Sequence, residues 1–237
     1  MPRQKEEFKT YKDVFDQSTI KTLFKLISEG RFEGLQSPIF MGKEANVFTA
    51  LTKNKKTIIV KIYRIQSCDF KKMYNYICAD PRFKGIQHNR MKIVYTWTQR
   101  EYRNLLKARS AGVKVPTPIA FMKNIIVMES IGNENPAPKI KDKPAKNMKK
   151  FFEAVVLNMK KLYQKAGLIH ADLSSFNILN HKDKPVFIDF SQATTTKDPN
   201  YEEYLERDIK NICNFFKKKG IVSNKDQIKK QILGQKL

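Results

Sequence analysis

His170-Ala171-Asp172-Leu173-Ser174-Ser175-Phe176-Asn177, followed by Phe187-Ile188-Asp189-Phe190, decides how this chain is read. The first segment has the form H-x-D-x-x-x-x-N, and the second is an apolar run ending in Asp-Phe. Phosphoryl transfer needs such a set. One carboxylate, Asp172, orients the attacking hydroxyl or water, while an amide oxygen and a second carboxylate, Asn177 and Asp189, hold Mg²⁺ on the phosphates. All three offer oxygen, as a hard cation requires. Taken singly they are weak signals. Asp172 also reads as a cap or turn residue, Asn177 as a turn amide, and His170 as a structural residue with no chemical role. The combination carries the assignment.

The N-terminal half supplies partners. Ile59-Val60-Lys61-Ile62 is an apolar strand interrupted by one lysine, and an ammonium placed there needs an anion; the plainer reading packs its stem and lets its head reach water. Forty residues on, Glu101 lies in a second helix. A strand lysine oriented by a helix glutamate is how a kinase fold places ATP phosphates, although glutamate is also common on helix surfaces. Upstream, Phe40-Met41-Gly42-Lys43-Glu44-Ala45-Asn46-Val47-Phe48 occupies the strand–turn–strand position of a nucleotide-covering loop, with one glycine where such loops often have three.

Around these motifs the periodicity predicts the remaining elements. Ser18 and Thr19 are read as caps of a helix carrying Ile20, Leu23, Phe24 and Ile27 at helical spacing, closed by Gly30 and Gly34. Strands are expected at Ala45–Leu51 and 57–62, an irregular basic segment at 66–90 with Asp80-Pro81 as a breaker, and a helix at 96–111. A hairpin follows at 118–128 around Lys123-Asn124. The 133–144 stretch, with Pro136, Pro138 and Pro144, reads as an extended connector. Beyond it come a helix at 147–166, short strands at 176–179 and 185–190, a helix at 201–219, and a last helix with Ser223 and Asp226 at capping-box spacing. The order gives a two-lobed α+β layout: a flexible N-terminal segment (1–17), an N-lobe (18–132) with an extra N-terminal helix, and a C-lobe (133–237).

Composition narrows the class. The 237 residues hold 46 Lys and Arg against 23 Asp and Glu, a net charge of +23, which favours a polyanionic partner, RNA before membrane. Between Lys139 and Lys165 there are nine lysines against Asp142 and Glu153; the bland alternative is a set of solvated helix faces. No apolar run approaches the ~20 residues that span a bilayer, and the first residues lack a secretory core. Three cysteines, Cys68, Cys78 and Cys213, show no metal-type spacing and read as reduced thiols of a cytoplasmic protein.

These residues together resemble the RIO family of atypical protein kinases, type-1 branch. The resemblance rests on G-K-E-A-N-V-F from Gly42, Lys61-Ile62-Tyr63-Arg64, D-P-R-F-K-G from Asp80, and Y-T-W-T-Q-R-E-Y-R-N-L from Tyr95. It rests further on Met128-Glu129 with Pro136-Ala137-Pro138, on H-A-D-L-S-S-F-N-I-L and on I-D-F-S-Q. It implies a trimmed two-lobed protein-kinase fold, with the 66–90 stretch as a flexible loop. It makes Asp172 the catalytic acid/base, Asn177 and Asp189 the Mg²⁺ ligands (Mn²⁺ as a substitute), and Asp189 the site of a transient aspartyl phosphate. Gly42 and Lys43 would cover ATP, Lys61 would contact its phosphates under the direction of Glu101, and main-chain groups near Glu129 and Ile131 would hold adenine. It implies late maturation of the small ribosomal subunit, with the precursor particle and its rRNA as partners and neither membrane nor DNA involved. ATP turnover would gate binding or release. One departure stands out: the nucleotide loop begins Phe40-Met41 where the family has Ser-Thr, so a hydroxyl that would bond phosphate is lost. The absence of a winged helix separates the chain from the type-2 branch, and the short C-terminal end suggests a compact archaeal or reduced-genome form.

Three other readings compete. A conventional Ser/Thr kinase acting in trans needs a broad peptide site, and only 48 residues follow Asp189 (237 − 189). A small-molecule phosphotransferase of the aminoglycoside-kinase type shares H-x-D-x-x-x-x-N but should line its site with acid. A non-catalytic RNA-binding scaffold would keep its function without Asp172.

Overall fold

The computed structural model describes residues 15–83, 85–132 and 135–235; most of the expected flexible segment, residues 1–14, lies outside them. The chain divides into two compact units. Of the described residues, one comprises those up to Tyr74, Ile86–Gln99 and Pro118–Ser130; the other comprises those within Asn75–Gly85, Arg100–Thr117 and those from Ile131 onward.

The first unit is built on a five-stranded antiparallel sheet, order β1-β2-β3-β5-β4. Its strands are β1 (Leu35–Met41), β2 (Ala45–Leu51), β3 (Thr57–Tyr63), β4 (Pro118–Met122) and β5 (Ile125–Glu129). Side chains alternate between the faces of a strand. In β3, Ile58, Val60 and Ile62 therefore share one face, where they join Phe48, Ala50, Ile125 and Val127 in a core with Leu23 and Leu26 of helix α1 (Gln17–Ser28). The same alternation sends Lys61 to the other face.

Helix α1 is capped two residues earlier than Ser18, the first of the two expected caps. Its N-cap is Asp16, whose carboxylate accepts both the amide and the hydroxyl of Thr19, at 2.9 and 2.7 Å. Aspartate holds two acceptor oxygens and so satisfies both donors at once. Thr19 Oγ1 in turn accepts from Asn124 Nδ2 (2.8 Å), which also donates to the Tyr63 carbonyl (2.8 Å). The fully buried Asn124 thus joins α1 to the ends of two strands.

The 66–90 segment is not irregular throughout. Helix α2 spans Phe70–Ala79, with Asp69 accepting the Lys72 amide and Met73 and Ile77 buried one turn apart. Asp80-Pro81 does stop it, and a short 3₁₀ turn follows at Pro81–Phe83. Helix α3 (Arg90–Ser110) begins six residues before the expected 96 because the Asn89 side chain accepts the Lys92 amide and Ile93, Val94 and Trp97 form a buried stripe.

The second unit holds α4 (Met148–Gln164), α5 (Tyr201–Lys217) and α6 (Lys225–Leu233), the two-residue strands β6 (Leu168–Ile169) and β9 (Thr194–Thr195), and the hairpin of β7 (Ile178–His181) and β8 (Lys184–Phe187). The hairpin is tighter than the expected 176–179 and 185–190. Lys182 and Asp183 both take positive φ, the two-residue turn that matches strand twist, so pairing begins at His181↔Lys184. The cap of α6 is Asn224, which accepts the Asp226 and Gln227 amides, in place of Ser223. Phe151 and Phe152 of α4 pack on Phe216 of α5. Among the described residues no helix is long and apolar enough to cross a membrane.

Replacing Asn124 by Ala removes two buried hydrogen bonds and is expected to cost about 1–3 kcal/mol of stability, read as a lowered urea midpoint with an unchanged slope.

Candidate active site

In the first unit the β1–β2 turn is pinned by its carbonyls. The Gly42 amide closes the turn on the Ala45 carbonyl (3.0 Å). The carbonyl of Lys43 accepts from Ser67 Oγ (2.8 Å), and that of Glu44 from the Arg64 amide (2.9 Å) and the Cys68 thiol (3.2 Å). Cys68 also meets the Arg64 carbonyl at 2.7 Å. Burial pushes its thiol up to about 12, so it stays a neutral donor. The single glycine has a steric reason: a Cβ on Gly42 would come within 2.5 Å of the Phe40 ring. Phe40 therefore covers the turn where a shorter residue would leave it open.

Lys61 is 8% exposed, paired in register between Val47 and Ile126. Glu129 ends β5, opposite Ile58. In the second unit, the Ile131 carbonyl accepts the Ala137 amide (2.6 Å), and Gly132, at φ +138°, permits a close approach of Asn135 that a side chain would block. Glu101 also belongs to this unit, on α3, where it is 1% exposed.

The loop from His170 to Asn177 leaves β6 and enters β7. Asn177 Nδ2 donates to the Asp172 carbonyl (2.8 Å) and to its Oδ2 (3.1 Å), which fixes the Asp172 carboxylate and leaves Asn177 Oδ1 as that amide's acceptor. The Ile188 amide donates to the Asn177 carbonyl (3.0 Å). This bond extends the β7–β8 ladder and brings Asn177 beside the residue preceding Asp189. Asp189 takes φ +62° and accepts from Ser191 Oγ at 2.7 Å. His170 hydrogen-bonds the Ile188 carbonyl and packs on Phe190, the structural role its sequence position implied. Among the described residues no three His, Cys, Asp or Glu side chains are grouped so as to hold a metal ion by themselves. A Mg²⁺ site needs no such cluster, since it takes one or two carboxylates and completes its shell with water and phosphate. The oxygen donors of Asp189 and Asn177 fit that demand.

Two supports were missed in the sequence. Asp208 of α5 is buried, with its two carboxylate oxygens accepting the Ala171 and Leu173 amides at 2.9 and 2.7 Å. These amides flank Asp172, and Ala171 holds φ +64°. Neighbouring Arg207 donates to the Ala171 carbonyl and to Tyr76 of the α2 segment. The signal was present: Leu205, Asp208, Ile209 and Ile212 form one helical stripe, and an aspartate on an apolar stripe needs donors. The second support is on α3. Asn104 Nδ2 donates to the carbonyls of Phe190 (3.1 Å) and Ala193 (2.7 Å), and Arg100 to those of Ser191 (3.1 Å) and Gln192 (3.5 Å). Arg100 is wholly buried and pairs with Asp80 at 3.1 Å. Burial alone would push the Asp80 carboxyl up, but Arg82 and Arg100 overcome it and hold it below the usual range.

A RIO domain model matches residues 46–229. The chain belongs to the RIO family. Its similarity to Rio1-type members places it in the type-1 branch. It is 41% identical to the RIO-type serine/threonine-protein kinase Rio1 of Methanocaldococcus jannaschii over 98% of this chain and 80% of that one. It is 39% identical to the Haloferax volcanii Rio1 over 97% and 79%. Human RIO1 is 34% identical over 92% of this chain, which spans only 39% of the human protein. The Rio2 kinase of Chaetomium thermophilum superposes with a TM-score of 0.69 at 24% identity, over 88% of this chain and 66% of that one. This RIO protein is thus an atypical protein kinase with a kinase-like α+β fold.

Two outcomes test the supports. Burial pushes the Asp208 carboxyl up to about 8, against the opposing pull of its two amides. Its folded value lies above the unfolded one, so its contribution is complete below about pH 4 and is lost as pH rises through about 8. The stability of the RIO protein relative to its Asp208→Asn variant should therefore fall over that window in urea titrations. The variant, which turns an NH₂ toward one of the amides, should lose roughly 10–100-fold in ATP turnover. Asp80→Asn leaves the Arg100 charge buried without its carboxylate and should cost about 3–5 kcal/mol, less when Arg100→Met is added.

Proposed function

We propose that this protein is a Mg-ATP-dependent atypical serine/threonine kinase and ATPase of the cytoplasm. It acts in maturation of the small ribosomal subunit, with ATP turnover gating its association with precursor particles and their rRNA. The observation that carries the chemical part is Asn177, whose side chain is locked onto Asp172 and whose main-chain carbonyl accepts the amide of Ile188, the residue before Asp189. Phosphoryl transfer depends on placing those groups more than on covalent work by the protein. Asp172 orients the attacking oxygen and accepts its proton. Asn177 and Asp189 would hold Mg²⁺, or Mn²⁺ in its place, which supplies neutralising charge for the phosphates. In the roles that the family resemblance implies, Lys61 would contact the phosphates, the Gly42–Lys43 turn would cover them, Glu101 would orient the lysine, and main-chain groups near Glu129 and Ile131 would hold adenine.

Asp189 is also read as the residue that takes up phosphate. Its carboxylate oxygen attacks the γ-phosphorus, the bond to the bridging oxygen breaks, ADP leaves, and water later hydrolyses the acyl phosphate. A related solved structure, the Chaetomium thermophilum Rio2 kinase, is described as an ADP/Mg²⁺-phosphoaspartate complex. The net charge of +23 supports an RNA-rich partner.

The deciding experiment follows the γ-phosphate of labelled ATP, with and without small-subunit precursor particles. Free phosphate release, stimulated by the particles and reduced at least ~100-fold by Asp172→Ala, is the expected result. Label on Ser or Thr of a separate protein would make the chain a kinase acting in trans, and particle association unaffected by Asp172→Ala would make it a scaffold.

A further inference from the structure

The second unit carries a lysine-rich face that the chemistry above does not use. The 138–146 connector runs along β7: the Asn180 amide donates to the Pro138 carbonyl (2.8 Å), the Ile140 amide to that of Ile178 (2.9 Å), and Asn180 Nδ2 to that of Lys143 (3.1 Å). At the hairpin turn, Asp183 accepts the Lys146 amide (2.9 Å). These bonds gather Lys141, Lys143 and Lys146 of the connector with Lys182 and Lys184 of the hairpin, all exposed. Two acids lie among them, and both are engaged: Asp142 by Lys141 (3.1 Å) and Asp183 by the Lys146 amide. At the same face, Phe176 is 56% exposed, with Lys141 Nζ 4.6 Å from its ring centroid. An aromatic ring held in the loop between Asp172 and Asn177 and bordered by Lys141, on the unit that carries the other four lysines, combines a stacking platform with phosphate-neutralising charge.

We infer that this face binds single-stranded RNA, with a base on Phe176 and the backbone phosphates on Lys141, Lys143 and Lys184; this rests on the RNA-facing role proposed above and gives it a surface. A duplex keeps its bases stacked and has no use for Phe176, and an acidic peptide would use the lysines without the ring.

The test is fluorescence anisotropy of the full chain with a labelled ten-nucleotide mixed-sequence RNA over a salt series, beside a duplex of the same sequence and polyglutamate. Lys141/Lys143/Lys184→Gln should weaken single-strand binding and flatten the dependence of log K on log salt by about 2, at ~0.7 per phosphate contact. The same substitutions at Lys217/Lys218/Lys219 should do markedly less. Phe176→Leu should lose roughly tenfold for the single strand and leave the duplex unchanged. Thermal melting and basal ATP turnover of the lysine variant should match the parent. Equal losses from both lysine triples, a duplex or polyglutamate bound as tightly as the single strand, or indifference to Phe176→Leu would each overturn the inference. Particle-stimulated ATP turnover with no oligonucleotide binding would overturn this surface and spare the ribosomal role. Variant-sensitive oligonucleotide binding without particle stimulation would sink the role and uphold the surface.

Discussion

A carboxyl group taken fully out of water must find donors for its oxygens, and Asp208 finds them in the two amides that flank Asp172. The loop pays for this with an alanine at φ +64°, a conformation that side chains with a Cβ disfavour. Helix α5 therefore does more than fill the core with Ile209, Ile212 and Phe216. Its buried acid and the adjacent Arg207 grip the loop through main-chain groups, whose positions do not depend on the side chains the loop carries.

The Asp189 loop is held on the same plan from another helix. Asn104 and Arg100 together reach the carbonyls of four successive residues, Phe190 to Ala193. Arg100 tolerates full burial because Asp80 neutralises it. Tyr76 and Asp80 both come from the segment around the end of α2, so this short stretch is coupled to both functional loops, to one through Arg207 and to the other through Arg100. Such coupling makes the segment a structural support of both loops.

Much of this was legible in the sequence because chemistry restricts residue type. The spacing of Asp172, Asn177 and Asp189 singled out the residues that the hydrogen bonds of Asn177 bring close, and the alternation of β3 set Lys61 apart from Ile58, Val60 and Ile62. The hairpins, α4 and α5 followed from periodicity. Caps were legible only to within a residue or two: Ser18, Thr19 and Ser223 offer the right oxygen, but Asp16 and Asn224 stand where the first free amides point. Helix α2 was hidden by its lysines and by the nearby Asp-Pro, although Met73 and Ile77 already mark its buried side. Asp80, Asn104 and Arg207 were out of reach because each acts on main-chain groups or on side chains made adjacent only by folding.

The three cysteines differ in what they meet. Cys68 and Cys213 are buried and Cys78 is exposed. With its thiol held neutral beneath the β1–β2 turn, Cys68 has almost no thiolate to offer an electrophile, and enclosure shields Cys213. A maleimide dye should therefore settle on the α2 position alone without any engineered substitution. That places a ready optical reporter two residues from both Tyr76 and Asp80, so the native chain can signal a rearrangement of this segment during turnover.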